Sequence, residues 1–132
     1  MKVLFVCRGN IGRSQMAEEF YNYIHPGQAQ SAGTLVDVDG QLLKDRPGAR
    51  VVIQAMKEIG FDMSQNTANQ LTEDLAKGFD KIIVTAENDN IPTWLKSDPR
   101  STILDIEDPK GKPIEQVRPI RDQIRALATS LA

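Results

Sequence analysis

The 132-residue sequence contains a single cysteine, Cys7, and a single histidine, His25. One cysteine cannot form a disulfide within the chain, which is typical of a protein in a reducing compartment. Without a second cysteine or histidine, the chain lacks the usual ligands of a zinc site, and its one histidine is expected at a helix end, which leaves a cysteine–histidine hydrolase without its base. His25 precedes Pro26-Gly27, where we expect it to cap a helix or face solvent. We therefore expect an activity that needs neither a metal nor another cofactor.

Neither sign of charge is in large excess, and apolar runs are short. The formal net charge of −2 gives no support to binding of nucleic acid or of an anionic membrane. The apolar run that starts at Val3 is interrupted by Arg8 before it reaches the length of a signal peptide, and no stretch approaches membrane-spanning length. These features predict a cytoplasmic protein with neither nucleic acid nor a membrane as partner.

The size and composition are those of one globular domain, which we place at residues 1–132. Hydrophobic residues make up 40% of the chain and charged residues 26%. Apolar runs predict four strands, at residues 3–6, 28–33, 81–85 and 101–105. Helical spacing or capping residues predict helices at 14–24, 47–59 and 72–77. They also predict a short helix that begins near residue 91 and a separate last helix that ends at residue 131. Strands that alternate with helices indicate an α/β fold, a single three-layer domain with a four-stranded parallel sheet flanked by helices.

Pro119 lies within the apolar stripe of the last helix, which extends from Ile114 to Leu131. Proline is tolerated in the first turn of a helix but removes a hydrogen bond from its interior. The sequence therefore predicts that the main part of this helix begins near Arg118, after a preliminary turn.

The segment from Cys7 to Ser14 has the composition of an anion-binding loop. It follows the first strand, and its two glycines and one asparagine accept the unusual dihedral angles of a tight turn. A helical stripe begins after Ser14, so loop amides and a helix N-terminus point at one spot and attract an anion there. Arg13, separated from Cys7 by five residues, can bind two oxygens of the same anion. We therefore expect a phosphate-binding loop after the first strand.

The same positive surroundings favour the thiolate of Cys7, which is the nucleophilic form of cysteine. Ser14 can donate its hydroxyl to the sulfur or cap the helix backbone. Two simpler interpretations stay open: Cys7 as a small apolar core residue, and a nucleotide-binding P-loop. The second departs from the P-loop pattern at the first glycine and at the lysine.

The loop resembles the signature C-x5-R-S of the low-molecular-weight protein tyrosine phosphatases and of the arsenate reductases that share their fold. Supporting matches run along most of the chain, at Ser31-Ala32-Gly33-Thr34, Gly60-Phe61-Asp62, Phe79-Asp80-Lys81-Ile82-Ile83 and Asp108-Pro109. The resemblance implies that Cys7 is the nucleophile and Arg13 the residue that binds the transferred group. It also implies that Asn10 supports the loop and Ser14 stabilises the sulfur. The predicted substrate-binding residues are Arg8, Gly9, Asn10, Ile11, Gly12 and Ser14.

Hydrolysis by a thiolate also requires a proton donor for the departing oxygen. Asp108 precedes Pro109, which stiffens the loop and biases the backbone of Asp108 toward an extended conformation. The family resemblance points to the same residue as general acid. Asp105 stays the alternative, because it follows the same predicted strand.

Two departures from the family bear on specificity. Gly12 stands where many members have a second cysteine, so Cys7 has no neighbouring thiol. Lys110-Gly111 stands where members selective for phosphotyrosine carry aromatic residues, and the loop after Thr34 also lacks one. Arg8 and Lys110 would then favour more acidic substrates, although Arg8 is equally consistent with a solvated side chain.

The resemblance implies hydrolysis of phosphate monoesters through a phosphocysteine intermediate, on phosphotyrosine in proteins or a similar aryl phosphate. The partners are then a phosphorylated protein or a small phosphate ester, with inorganic phosphate as product. Two alternatives stay open: arsenate reduction with an external thiol, and a non-catalytic protein that only binds phosphate or a related oxyanion.

Overall fold

The computed structural model describes residues 1–131 and contains one sheet of four parallel strands in the order β2-β1-β3-β4. The strands are β1 (Val3–Cys7), β2 (Ala29–Gly33), β3 (Lys81–Val84) and β4 (Ser101–Ile103). Every residue of β1 is buried, as expected for a central strand that is covered on both faces. Cys7 pairs with Gly33, so the nucleophile candidate lies at the carboxyl end of the central strand.

Helices cover both faces of the sheet and form three layers with it. They are α1 (Arg13–Ile24), α2 (Arg50–Lys57), α3 (Glu73–Ala76), α4 (Thr93–Lys96) and α5 (Ile114–Leu131), with single 3-10 turns at Leu43–Asp45, Pro47–Ala49 and Asn88–Asn90. One core cluster joins Phe5 and Ile83 of the sheet to α1, α2 and α5. A second cluster joins the opposite face of the sheet to α3 and α4. The predicted α/β architecture is confirmed.

The last helix differs from the prediction, because α5 runs without a break from Ile114 through Pro119. Val117 and Ile120 lie on opposite sides of Pro119 in the sequence, and both are buried against the core. Burial of such side chains contributes about 1.5–3 kcal/mol each, which offsets the roughly 3 kcal/mol that an interior proline costs. Continuous packing of the apolar stripe therefore determines where this helix begins.

Several other boundaries also differ, among them the end of β3 at Val84 rather than Thr85 and the end of α2 at Lys57 rather than Ile59. Strand β4 ends at Ile103, two residues before the predicted end, and Pro47 begins a 3-10 turn before α2 rather than α2 itself. Between residues 1 and 131, no helix is both long and apolar enough to cross a membrane.

Candidate active site

The phosphate-binding loop lies between β1 and α1, at the carboxyl edge of the sheet. The segment after β2 lies against it: the amide of Thr34 donates to the Cys7 carbonyl at 2.9 Å, and the amide of Leu35 donates to the Arg8 carbonyl at 2.8 Å. A Cβ atom on Gly33 would be only 2.6 Å from the Arg8 carbonyl oxygen. The close approach of β2 to the loop therefore requires glycine at this position.

Asn10 stabilises the conformation of the loop through hydrogen bonds on the side away from the cavity. Its φ of 55° is in the left-handed region, which asparagine tolerates. Its Oδ1 accepts from the amide of Asn69 at 2.8 Å, and its Nδ2 donates to the hydroxyls of Ser14 and Ser31 at 2.8 and 3.0 Å. Gln15 Nε2 also donates to the Asn10 carbonyl at 3.0 Å. Because Asn10 is fully buried, this network fixes the loop without facing the site.

Cys7 Sγ lies 2.8 Å from the hydroxyl oxygen of Ser14, and both residues are buried. The Ser14 oxygen already accepts a hydrogen bond from Asn10, so its own proton is available to the sulfur. Ser14 is in the first turn of α1, which begins at Arg13, so the sulfur also lies near the positive end of the helix dipole. Both features place hydrogen-bond donors and positive potential around the sulfur.

Arg13 is buried and held by three acceptors on its Nη1 atom. Nη1 donates to the carbonyls of Thr85 at 2.7 Å and Ile106 at 2.9 Å, and to Glu87 Oε1 at 3.0 Å. Nη2 lies 3.5 Å from the second carboxylate oxygen of Glu87. Within residues 1–131, the Nε–H of Arg13 has no acceptor. Nε and Nη2 share one edge of the planar guanidinium, and this edge can bind two oxygens of an oxyanion.

Glu87 stays ionised beside Arg13. Partial burial alone would raise the pKa of Glu87, but the hydrogen bond from Arg13 and smaller interactions bring that pKa below its usual value. The guanidinium is therefore oriented by a carboxylate that is charged at neutral pH.

Asp108 lies over the opening of the loop and is about half exposed. Its Oδ1 accepts from the amide of Lys110 at 3.0 Å, and its Oδ2 is 3.7 Å from Arg13 Nη2. The Pro109 ring packs closely on Gly12: a Cβ atom added to Gly12 would be 3.1 Å from Pro109 Cγ. Asp105 is exposed and does not line the site. The structure thus brings Asp108, but not Asp105, to Cys7 and Arg13.

A cavity of about 100 Å³ opens above the sulfur. Its lining residues are Cys7, Arg8, Gly9, Ile11, Gly12, Arg13, Leu35, Asp37, Arg46, Asp108 and Lys110. Four of the six predicted substrate-binding residues are in this lining, whereas Asn10 and Ser14 are buried behind the loop. Elsewhere among residues 1–131, no group of three or more histidine, cysteine or acidic side chains is placed to hold a metal ion.

Leu35 and Asp37 of the lining come from residues 35–40, whose alternating apolar and acidic residues favour a loop or short edge segment over the site. Glu87 and Arg46 were not predicted as site residues. For Glu87, the position after a strand next to β1 was a usable signal, since parallel strands end at one edge of a sheet. Arg46 and Asp37 form an ion pair at the mouth of the cavity. Nothing in their local sequence indicates that two surface loops meet there.

The fold and the loop geometry together define an α/β protein with an oxyanion-binding site at the carboxyl end of its central strand. The sequence model of the family described as low molecular weight phosphotyrosine protein phosphatase matches residues 2–132, and the chain belongs to this family. The resemblance predicted from the loop signature is confirmed.

Individual relatives carry two kinds of names. Arsenate reductase 2 of Staphylococcus epidermidis is 30% identical over 129 residues, covering 97% of this chain and 93% of the relative. A low molecular weight protein tyrosine phosphatase from T. tengcongensis has a similar structure, with a TM-score of 0.82, 28% identity, and coverage of 99% of this chain and 97% of the other. An arsenate reductase solved in its phosphate-binding state gives a TM-score of 0.80 at 29% identity, with coverage of 99% and 96%.

Proposed function

We propose that the protein hydrolyses phosphate monoesters through a phosphocysteine intermediate. The observation that carries this proposal is the grouping of the Cys7 sulfur, the open edge of Arg13 and the Asp108 carboxyl around one small cavity. Membership of the phosphatase family supports the same chemistry. The substrate is phosphotyrosine in a protein or a similar aryl phosphate, and the product is inorganic phosphate.

In the first step, the Cys7 thiolate attacks phosphorus, so that a sulfur–phosphorus bond forms and the phosphorus–oxygen bond to the leaving group breaks. Asp108, in its protonated form, gives its proton to the departing oxygen. Arg13 and the amides of the loop bind the three remaining phosphoryl oxygens as their charge redistributes.

In the second step, water attacks the phosphocysteine while Asp108, now a carboxylate, accepts a proton from it. The sulfur–phosphorus bond breaks, and its electron pair returns to the sulfur as thiolate. The Ser14 hydroxyl stabilises that thiolate as leaving group. Arg13 supplies the positive charge in both steps.

Turnover of p-nitrophenyl phosphate by matched variants tests this proposal. We expect Cys7→Ser to abolish hydrolysis, because a serine hydroxyl is a far weaker nucleophile than a thiolate. We expect Asp108→Ala to lower kcat by roughly 10²–10⁴, the usual contribution of a positioned acid. Asp105→Ala is the matched control, since this carboxylate follows β4 but lies outside the cavity. Full activity of Asp108→Ala, with loss in Asp105→Ala, would assign the proton transfer to the other residue.

Arsenate reduction with an external thiol is a second candidate, favoured by the names of relatives that are about 30% identical. In this reaction Cys7 displaces an oxygen of arsenate, and an external thiol then attacks the Cys7 sulfur. The sulfur–arsenic electron pair passes to arsenic, which leaves as arsenite, and a second external thiol reduces the mixed disulfide. Because Cys7 is the only cysteine, no disulfide relay within the chain is available.

Two assays separate these candidates. Arsenite production that depends on added thiol and on Cys7 would identify the reductase. Binding of inorganic phosphate without turnover of either substrate would identify a non-catalytic oxyanion-binding protein and contradict the proposed hydrolysis.

A further inference from the structure

Basic side chains outnumber the two acidic ones, Asp37 and Asp108, in the lining of the catalytic cavity, although the chain as a whole has a net charge of −2. In addition to Arg13, three basic side chains line the opening: Arg8, Arg46 and Lys110. We call these three residues the cationic rim. No aromatic residue lies in the lining within residues 1–131, and its apolar side chains are those of Ile11 and Leu35.

The members of the rim differ in how far their charge is already neutralised. Arg46 is paired with Asp37. Arg8 and Lys110 are exposed, and within residues 1–131 neither forms an ion pair with a carboxylate. Two cations at the opening are therefore available to an anionic group that arrives with the substrate.

Lys110 is held close to the reacting groups. Its amide donates to Asp108 Oδ1 at 3.0 Å, so its backbone is tied to the acid-bearing loop. Its aliphatic chain lies along Gly48 and Ile11, since a Cβ atom on Gly48 would be 3.5 Å from Lys110 Cε and 3.0 Å from Ile11 Cδ1. The chain of Lys110 thus forms part of the cavity wall and carries its ammonium group at the opening.

We propose that the cationic rim selects phosphate monoesters that carry a second anionic group next to the phosphate, with Arg8 and Lys110 as specificity-determining residues. This inference rests on the proposed phosphatase activity and names its substrate class. A substrate with an uncharged leaving group meets little apolar surface at the opening, whereas a second anion meets two unpaired cations. Charge complementarity at an exposed site acts on encounter and specificity, and it weakens with salt.

Matched substrate pairs test the inference. One pair is a phosphotyrosine peptide with glutamates beside the phosphotyrosine and the same peptide with glutamines. The other is 3-carboxyphenyl phosphate and its carboxamide. At low salt we expect kcat/KM for the acidic member of a pair to exceed that for the neutral member by about threefold to tenfold, as two exposed charge interactions allow. The peptide pair and the small-molecule pair distinguish a protein source of the second anion from a small-metabolite source.

Substitutions in the rim should change this ratio. Lys110→Ala and Arg8→Ala should each reduce the preference, the double variant should bring the ratio to about one, and Lys110→Glu should favour the neutral member. Each ratio compares kcat/KM for the two members of a substrate pair in the same variant. A loss of activity that affects both substrates equally therefore leaves the ratio unchanged. Lys77→Ala, on exposed surface outside the cavity, is the matched control and should keep the ratio of the native protein.

The outcomes separate the two proposals. Equal kcat/KM for both members of both pairs, with turnover that depends on Cys7, would overturn the rim selectivity and leave the proposed hydrolysis intact. Absence of turnover would overturn hydrolysis. Calorimetric binding of non-hydrolysable phosphonates of the same pairs would then decide the selectivity, because preference for the acidic phosphonate supports it and equal binding overturns it.

Discussion

The guanidinium of Arg13 contacts protein acceptors with one edge and leaves another edge for the site. One edge faces the Glu87 carboxylate, with Nη1 at 3.0 Å and Nη2 at 3.5 Å from its two oxygens. The carbonyls of Thr85 and Ile106 hold the same Nη1. Five donors in a rigid plane allow this division, which lysine does not offer. We therefore expect Glu87 to be a positioning residue, which would act on a bound oxyanion only through Arg13.

We expect Glu87→Ala to lower kcat/KM for p-nitrophenyl phosphate by roughly tenfold. The reason is that the Arg13 guanidinium loses the fixed orientation on which stabilisation of the phosphoryl charge depends. Glu87→Gln keeps an oxygen that accepts from Nη1 and should retain intermediate activity. The inhibition constant of inorganic phosphate should rise together with KM, which separates weaker oxyanion binding from a loss of fold. Asp89→Ala, in the same exposed turn, is the control. Native phosphate inhibition in Glu87→Ala would contradict this role.

At the residue scale, the sequence predicts the local part of the site better than the distant part. Cys7, Arg13 and Asn10 lie within one strand–loop–helix unit, so their spacing alone indicates their arrangement. Glu87 meets Arg13 across 74 residues, and only the order of the strands brings the two together. Asp108 was predicted because the Asp108-Pro109 pair is a recognisable family feature; its catalytic role stays a prediction.

At the scale of elements, the acid-bearing loop docks directly on the phosphate-binding loop. The contact is between Pro109 and Gly12, where a Cβ atom would approach Pro109 Cγ to 3.1 Å. That distance is tighter than ordinary van der Waals contact, so a side chain on residue 12 has to displace Pro109 or the loop itself. The glycine at position 12 therefore allows the loop that carries Asp108 to approach this closely.

We expect Gly12→Ala to shift Asp108 and to lower kcat/KM for phenyl phosphate by roughly tenfold, a fraction of what a positioned acid contributes. The loss should be smaller for p-nitrophenyl phosphate, because its better leaving group depends less on protonation. The ratio of the two kcat/KM values measures this difference, because kcat/KM reports the step in which the leaving group departs. Gly78→Ala is the control, since a Cβ atom there meets nothing within 4 Å. An unchanged ratio in Gly12→Ala would show that the docking contact does not position the acid.

Helix α5 shows where local rules mislead. Pro119 predicts a late start for the helix, because proline cannot donate the backbone hydrogen bond of an interior helical residue. The structure instead follows the stripe of Val117, Ile120 and Ile124, which packs against α1 and α2. Packing of a whole helical face outweighs one lost hydrogen bond, and this balance depends on neighbours far away in the sequence.

At the scale of the whole molecule, parallel topology creates the site. Strands β1, β3 and β4 all end at the same edge: β1 ends in Cys7, and the segments that follow β3 and β4 supply Glu87 and Asp108. The alternation of strands and helices was sufficient to predict this fold class and the edge that carries the site. The cationic rim was not predictable as a unit, because Arg8, Arg46 and Lys110 come from three loops whose mutual approach depends on tertiary packing.

An ion cluster joins α2 to α5 on the side of the molecule that supports the phosphate-binding loop. The Glu58 carboxylate, directly after α2, accepts from Arg118 Nη2 at 2.6 Å and from Arg121 Nη1 at 3.0 Å. Arg121 Nη1 also donates to the Ala55 carbonyl at 2.9 Å. The hydrogen bond from Arg118 is the largest cause of a Glu58 pKa below its usual value of 4.5.

Because the pKa of Glu58 is lowered by folding, the cluster stabilises the folded state above pH 4.5, and this stabilisation is lost as the pH falls through the lower folded pKa. Glu58→Gln should therefore unfold at lower urea concentration than the native protein at pH 7, and the difference should shrink below pH 4.5. Glu73→Gln, at an exposed residue of α3 on the other face of the sheet, is the matched control for loss of a surface carboxylate and should keep the native urea midpoint at pH 7. A Glu58→Gln midpoint that matched the native protein at pH 7 would show that the cluster contributes nothing to the docking of α5, because its charge interactions are then fully offset by solvation of the exposed carboxylate.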